Sequence, residues 1–401
     1  MTVTAERPKS SSSAAGDEPD VYARLGVPTF INASGHNTAQ GGSLMPPEVV
    51  AAMNAAATRH VWLRALQDAA GKRIAEVAGA PAALVGSGAA GCILLGAAAC
   101  LSGKDPERIS DLPDLGPDEP NEIVVWAAKR PNYMYQACRA AGARLVEVGE
   151  MGGPVSPEDF GDALDRHSAG ILLVLAPIDQ AREHIPSWED FVREVCGYAD
   201  AAGVPVLVDA ASELPPRGLV QDLLALGVSG VIVSGGKAIR GPQSTGLLLG
   251  KQELIGAAAL NNNPHSAVGR PLKVGKEELC GAVAAVERFF AMDEAAQLDE
   301  FRERARIIAD AANRAGAATV KAEVIERDPN YGRPPLVAKA VLRFTGKSRA
   351  ADALYKRLHD GEGGGPRINA LRQRDDLIFN PMALEPGDAE TIAARLTALL
   401  Q

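Results

Sequence analysis

One lysine, one aspartate and one run of small residues carry the chemistry that this sequence offers. Lys237 stands in residues 230–250, GVIVSGGKAIRGPQSTGLLLG, between two short apolar runs bounded by glycine and proline. Such runs read as buried strands, so Lys237 sits on a tight loop at a strand end. A lysine held there suits amine chemistry, most often a Schiff base. On this stretch alone, a surface lysine in a turn also fits. Asp209 ends the apolar run of PVLVDAASELPP (residues 205–216). A carboxylate there loses solvation unless a cation or hydrogen-bond donors meet it; an N-cap or a structural ion pair is the alternative. Residues 87–91, SGAAG, join an apolar strand (82–86) to an apolar helix (92–101). Unpaired N–H groups and the positive helix end then meet at one spot, which suits a phosphate. Close helix–sheet packing also calls for Gly and Ala.

Taken together, the three stretches match one cofactor, pyridoxal 5′-phosphate (PLP). Its phosphate needs N–H donors, its ring nitrogen a carboxylate, and its aldehyde an amine. Ala211 is small enough to lie under the ring.

These groups must be held by a sheet. Strand-like runs recur at 82–86, 122–126, 144–148, 170–176, 204–208, 230–234 and 246–250. Helical patterns separate most of them, at 92–101, 133–141, 157–167, 188–202 and 219–226. Apolar strands alternating with helices predict an α/β fold with a seven-stranded, mostly parallel sheet covered on both faces. The last two strands are joined by too little chain for a helical crossover, so 246–250 is expected to run antiparallel. Ligands bind beyond the carboxyl ends of such strands, where Ser87, Asp209 and Lys237 would face one crevice. Residues 1–20 are polar and serine-rich, a disordered tail without a secretory h-region. An N-terminal arm (21–45) and a large domain (46–290) follow. A long helical stretch, 277–315, broken near Met292-Asp293, leads into a small α+β C-terminal domain (291–401). In that domain GEGGGP (361–366) reads as a loop.

The 401 residues carry a net charge of −9. That balance argues against a nucleic-acid backbone or an anionic membrane as the main partner. The five cysteines are odd in number and lack a CxxC pair, and there is no HExxH. A disulfide framework or metal site is not expected, and a reducing cytoplasm fits. No apolar run reaches the length of a membrane span.

The sequence resembles the fold-type I PLP enzymes, within them the group of selenocysteine synthase (L-seryl-tRNA selenium transferase) and D-glucosaminate-6-phosphate ammonia lyase. The resemblance rests on YARLGVPTFINASG, GGSLMPPEVVAAM, VGSGAAG, VPVLVDAASELPP, VSGGKAIRGPQSTGLLLG and GRPLKVGKEE, in that order, and covers nearly all the chain after the tail. It implies that Lys237 is the Schiff-base lysine and Asp209 the partner of the pyridine nitrogen. It implies phosphate contacts from Ser87, Gly88, Ala89, Ala90 and Ser234. Arg270 and Lys273 are implied to reach the site from a second subunit, in a homodimer or larger homo-oligomer. The family pattern has a His where this chain has Arg130, in AAKRPNYMYQ. The guanidinium plane of Arg130 would stack on the ring in its place, and Pro131 beside it points to an altered loop.

The reaction expected is elimination of a Cβ leaving group from an amino acid or amino-sugar acid, releasing ammonia, with Lys237 as the base at Cα. Racemisation, aldol cleavage and β-replacement use the same groups. A tRNA-charging role stands against the acidic balance and the short polar tail. Arg367 or Arg372 in PRINALR is the candidate for gripping a substrate carboxylate. Asn32 and His36, in the entry loop, are candidates for touching substrate.

Overall fold

The computed structural model describes residues 21–127, 132–150, 153–175, 187–316, 320–326, 337–345 and 349–401. The tail expected over 1–20 and the position of Arg130 lie outside them.

From the N-terminus come α1 (Val21–Arg24), the short strand β1 (Ile31–Ala33), α2 (Pro47–Ala57) and α3 (Leu63–Ala78). Pro47 opens α2, where its missing N–H costs nothing, and Gly79 ends α3 with a left-handed φ. Then follow β2 (Ala82–Ser87), α4 (Gly88–Ser102), α5 (Pro106–Asp111), β3 (Glu122–Trp126), α6 (Tyr133–Ala140), β4 (Arg144–Val148), α7 (Pro157–Asp162) and β5 (Ser168–Val174). Next are α8 (Trp188–Ala202), β6 (Val206–Asp209), α9 (Leu219–Ala225), β7 (Gly230–Ser234), β8 (Thr245–Gly250) and α10 (Gln252–Asn261). Side chains set several starts: Asn132, Ser156 and Ser187 accept backbone N–H groups at the heads of α6, α7 and α8.

Seven of these strands form one sheet in the order β2-β8-β7-β6-β5-β3-β4. Strand β8 runs antiparallel to both neighbours, and the other pairs are parallel. The seven-stranded, mostly parallel α/β sheet and its one reversed strand are as the sequence predicts. Successive residues feed two apolar layers. Val124, Val208, Val231 and Leu247 enter one, while Ile123, Leu207, Ile232 and Leu248 enter the other. Each such side chain contributes about 1.5–3 kcal/mol on burial.

The long helical stretch is two helices, α11 (Lys276–Ala291) and α12 (Glu294–Ala315), parted at Met292-Asp293 as expected. Strands β9 (Val320–Ile325) and β10 (Lys339–Phe344), helix α13 (Ala350–Asp360), strands β11 (Ile368–Gln373) and β12 (Asp376–Phe379) and helix α14 (Asp388–Leu400) complete the chain. Their sheet has the order β1-β11-β12-β10-β9. The arm strand β1 therefore joins the C-terminal sheet, pairing in parallel with β11 (Asn32 beside Asn369). Strand β11 was not anticipated: Arg372 and its neighbours are exposed, so its alternation is weak.

Close backbone approach explains one glycine near the site. A Cβ on Gly246 of β8 would lie 2.3 Å from both the carbonyl carbon and oxygen of Gly88. We expect Gly246→Ala to lower stability by about 1–3 kcal/mol, the usual cost of overpacking, read as a fall in the urea midpoint without a change in slope. An unchanged midpoint would contradict this packing.

Candidate active site

The register of β8 places the phosphate-type turn and the lysine loop on one edge. Gly246 pairs with Gly86 on one side and with Ser234 on the other. Ser87 and Ser234 therefore flank β8 at the carboxyl ends of β2 and β7. Asp209 ends β6, next to β7, and pairs with Ile232. The expected turn before the α4 helix is shorter than the sequence suggests. Gly88 takes φ +68° and turns the chain in one residue, so α4 begins at Gly88 itself. Ser87 is the N-cap residue, but its side chain caps nothing. Ser87, Gly88 and Ala89 are half-buried and Ala90 is exposed, so the first N–H groups of α4 open outward.

Asp209 is 4% exposed. Its Oδ1 accepts from the Ala211 N–H at 3.0 Å. Burial pushes its carboxyl up to about 6; the Ala211 amide and Lys237 pull the other way, and Glu213 adds to the rise. The site thus holds a buried carboxyl that keeps its proton to a higher pH than usual and carries its charge at neutral pH, with Ala211 buried two residues away. Lys237 is half-buried, and its Nζ donates to Ser212 Oγ at 2.8 Å. Burial lowers its pKa, against the pull of Asp209 and Glu213.

The Lys237 loop is tied down on three sides. Gly235 and Gly236 permit a close return of the chain, since a Cβ would sit 2.2 Å from Thr245 Oγ1 or 2.4 Å from Gln243 Cα. Ser43 donates both its N–H and its hydroxyl to the Gly236 carbonyl, at 3.1 and 3.0 Å. Arg240, at φ +60°, donates through Nε to the Leu44 carbonyl at 2.8 Å and through Nη2 to Glu385 at 2.5 Å. The lysine loop is thereby bound to the N-terminal arm and to the C-terminal region.

His36 belongs to this cluster. Its Nε2 bonds the Met382 carbonyl at 3.2 Å, and it lies within electrostatic reach of Arg240 and Lys237. Burial, with those two cations, lowers its pKa to about 4. A folded-state pKa below the unfolded value means stability that is present above pH 6.5 and lost as pH falls through 4. We expect His36→Gln, neutral at every pH, to lose less stability than the wild type between pH 6.5 and 4, by up to about 3 kcal/mol. Parallel urea curves for the two proteins across that range would contradict this.

The other expected contacts are placed as follows. Asn32 is used in its own turn: Oδ1 accepts from Ser34 N and Oγ, and Nδ2 donates to the Gly35 carbonyl. Arg270 and Lys273 are exposed on the connection between α10 and α11. Leu272 between them comes within 3.6 Å of where a Cβ on Gly91 would be, so this connection lies beside the first turn of α4. Arg367 is exposed just before β11, and its carbonyl accepts from Ile31 N. Arg372 is held by Asp352 and lies over the Tyr355 ring at 5.2 Å. The structure thus brings together Ser87, Ser234, Asp209, Lys237 and His36. For Arg367 and Arg372 it shows contacts within the arm and the C-terminal sheet instead.

Two residues were missed. Ser212 holds the lysine, and nothing in the sequence pairs it with Lys237. Tyr133, the first residue of α6, is 56% exposed. Partial desolvation first, and then the nearby charge of Asp209, push its hydroxyl pKa up to about 12. An aromatic residue soon after a strand was the available signal.

No protein-family model matches the chain. A 5′-C-glycyluridine monooxygenase-decarboxylase of a Streptomyces species is 30% identical over 390 residues, 94% of this chain and 92% of the relative. A D-glucosaminate-6-phosphate ammonia lyase of Salmonella typhimurium is 32% identical over 274 residues, 68% of this chain and 70% of that protein. A solved structure of D-glucosaminate-6-phosphate ammonia-lyase superposes with a TM-score of 0.75 at 26% identity, covering 95% of this chain and 98% of that one. A serine palmitoyltransferase solved with PLP shares the fold at 15% identity, with a TM-score of 0.56 and coverage of 92% of this chain and 87% of that one. With the buried carboxylate, the amine and the open helix end on one sheet edge, these likenesses show that the chain belongs to the fold-type I pyridoxal-phosphate enzymes, in the group of D-glucosaminate-6-phosphate ammonia lyase.

Proposed function

We propose that the chain is a PLP-dependent lyase that releases ammonia from an amino acid or amino-sugar acid bearing a hydroxyl at Cβ. The observation that carries this reading is the buried carboxyl of Asp209 beside the half-buried amine of Lys237. The donor set fits PLP. Asp209 accepts a single side-chain hydrogen bond among the described residues, from Ala211, leaving acceptor capacity for a ring N–H. The α4 N-terminus with Ser87 and Ser234 would hold the phosphate, Lys237 would bind the aldehyde carbon, and Ala211 leaves room for the ring.

When bound, PLP supplies an electron sink for the charge left at Cα. Asp209 holds the proton at the pyridine nitrogen that makes the sink effective. Lys237 Nζ takes the Cα proton, and its partial burial favours the neutral amine that this step needs. Loss of the Cβ hydroxyl and addition of one water then give a 2-keto acid and ammonia. A substrate carboxylate would be gripped by Arg367, whose guanidinium makes no hydrogen bond or ion pair among the described residues, since Arg372 is committed to Asp352. The functional unit in this reading is a cytoplasmic homodimer or larger homo-oligomer. Trp62, Leu44 and Val61, 86%, 64% and 50% exposed, supply apolar surface for a second copy. In this reading Arg270 and Lys273, exposed on the connection between α10 and α11, are the groups a second copy would bring near its neighbour's phosphate.

A second reading comes from the Streptomyces relative, whose name describes an oxygen-consuming decarboxylation and whose likeness runs over 94% of this chain. Incubation with 3-hydroxy amino acids and amino-sugar acids, with and without oxygen, separates the two. Ammonia and 2-keto acid formed equally under both conditions support the lyase. Oxygen uptake with carbon dioxide release supports the second reading. An inverted amino acid or an aldehyde product would instead mark a racemase or an aldolase and overturn both.

A further inference from the structure

The turn after β6 positions both reacting groups of the site. Asp209 Oδ1 is fixed by the Ala211 N–H at 3.0 Å, and three residues further on Ser212 Oγ accepts from Lys237 Nζ at 2.8 Å. We infer that Ser212 is the positioning residue for Lys237, holding its free amine beside Asp209 ready to capture the cofactor aldehyde. The inference rests on the PLP reading of the site.

The reason lies in the chemistry of a hydroxyl. A lysine side chain has four rotatable carbons and loses much rotamer freedom when held. A carboxylate could hold it only by favouring the ammonium form, and Asp209 and Glu213 already act in that direction. A serine hydroxyl both accepts and donates. It can accept from the ammonium and donate to the lone pair of the neutral amine, so it orients the group without tying it to one protonation state. His36, from the N-terminal arm, also lies within electrostatic reach of Lys237, and Arg240 follows on the same loop. Neither is recorded in a hydrogen bond to Nζ: His36 bonds Met382, and Arg240 bonds Leu44 and Glu385. Ser212 is exposed in the chain, so its replacement should leave the core intact.

Capture requires the neutral amine. Nζ forms the C=N bond to the aldehyde carbon, and both amine hydrogens leave with the aldehyde oxygen as one water. The test measures this step directly. Cofactor-free protein is mixed with PLP across about pH 6 to 9.5, quenched with borohydride at set times, and the fraction modified at Lys237 is read by peptide mass. Ser212→Ala should slow capture about tenfold. Ser212→Thr, which keeps the hydroxyl, should restore the rate to within about twofold. Ser212→Asp should move the pH midpoint of capture upward by about one unit. Wild-type rates in Ser212→Ala, a slow variant that threonine does not restore, or an unmoved midpoint in Ser212→Asp would each overturn the inference. If the wild type is not modified at Lys237 at all, the PLP reading itself fails, a separate result.

Discussion

Replacing Asp209 with asparagine should make the cofactor-free protein more stable and the loaded protein nearly inactive. The two effects share a cause. In the folded chain the Asp209 carboxyl keeps its proton up to about pH 6, because burial penalises the charge. In the unfolded chain it ionises near 3.8. A raised folded-state pKa contributes stability below the unfolded value that is lost as pH rises through 6. At neutral pH the wild type therefore carries a buried charge that opposes folding, by up to about 3 kcal/mol at 1.36 kcal/mol per pKa unit. Asparagine removes that charge with nearly the same volume. Urea melts of the cofactor-free proteins should show Asp209→Asn ahead at pH 7.5, with the gap closing toward pH 4. Equal stability at both pH values would contradict the burial argument. With PLP bound, asparagine cannot hold the ring proton, and turnover should fall about 100-fold or more. A site that is costly to the empty protein and needed by the loaded one is a common signature of function.

Lys237→Ala removes both the covalent anchor and the base at Cα. Turnover should drop by about a thousandfold or more, since a well-placed proton acceptor alone contributes about 100- to 10,000-fold. The visible absorbance that PLP gives on a lysine should disappear. A small external amine should restore part of the rate, because the cavity left by the side chain can admit it. The variant should also shift Asp209: Lys237 is one of the groups that pull its pKa down, so without it the carboxyl should keep its proton to higher pH. Unchanged turnover, or absorbance that persists, would remove Lys237 from the chemistry.

Much of this arrangement is legible in the chain itself. Strands β5 to β8 read as apolar runs because both faces of the sheet are covered, and the short link between β7 and β8 leaves only an antiparallel return. Asp209 and Lys237 are conspicuous because each ends or follows such a run. Pairings across the chain are not legible. That β1 lies beside β11 depends on a three-residue strand and a partner with three exposed residues, too little periodicity to read. That Ser212 meets Lys237, or that Arg240 joins Leu44 to Glu385, follows from where loops come together in space. Arg367 and Arg372 look alike as loop arginines in sequence, and they part only when Asp352 on α13 comes within reach of the second. The helix α4 starts four residues sooner than its apolar run because Gly88 makes the turn alone.

If this chain is a PLP enzyme, Lys237 is the residue that holds the cofactor. Reduction of the PLP-treated protein with borohydride, followed by digestion and mass analysis, tests it most directly. One modification per chain is expected, on the peptide that contains Lys237. Modification at another lysine, or none, would contradict it.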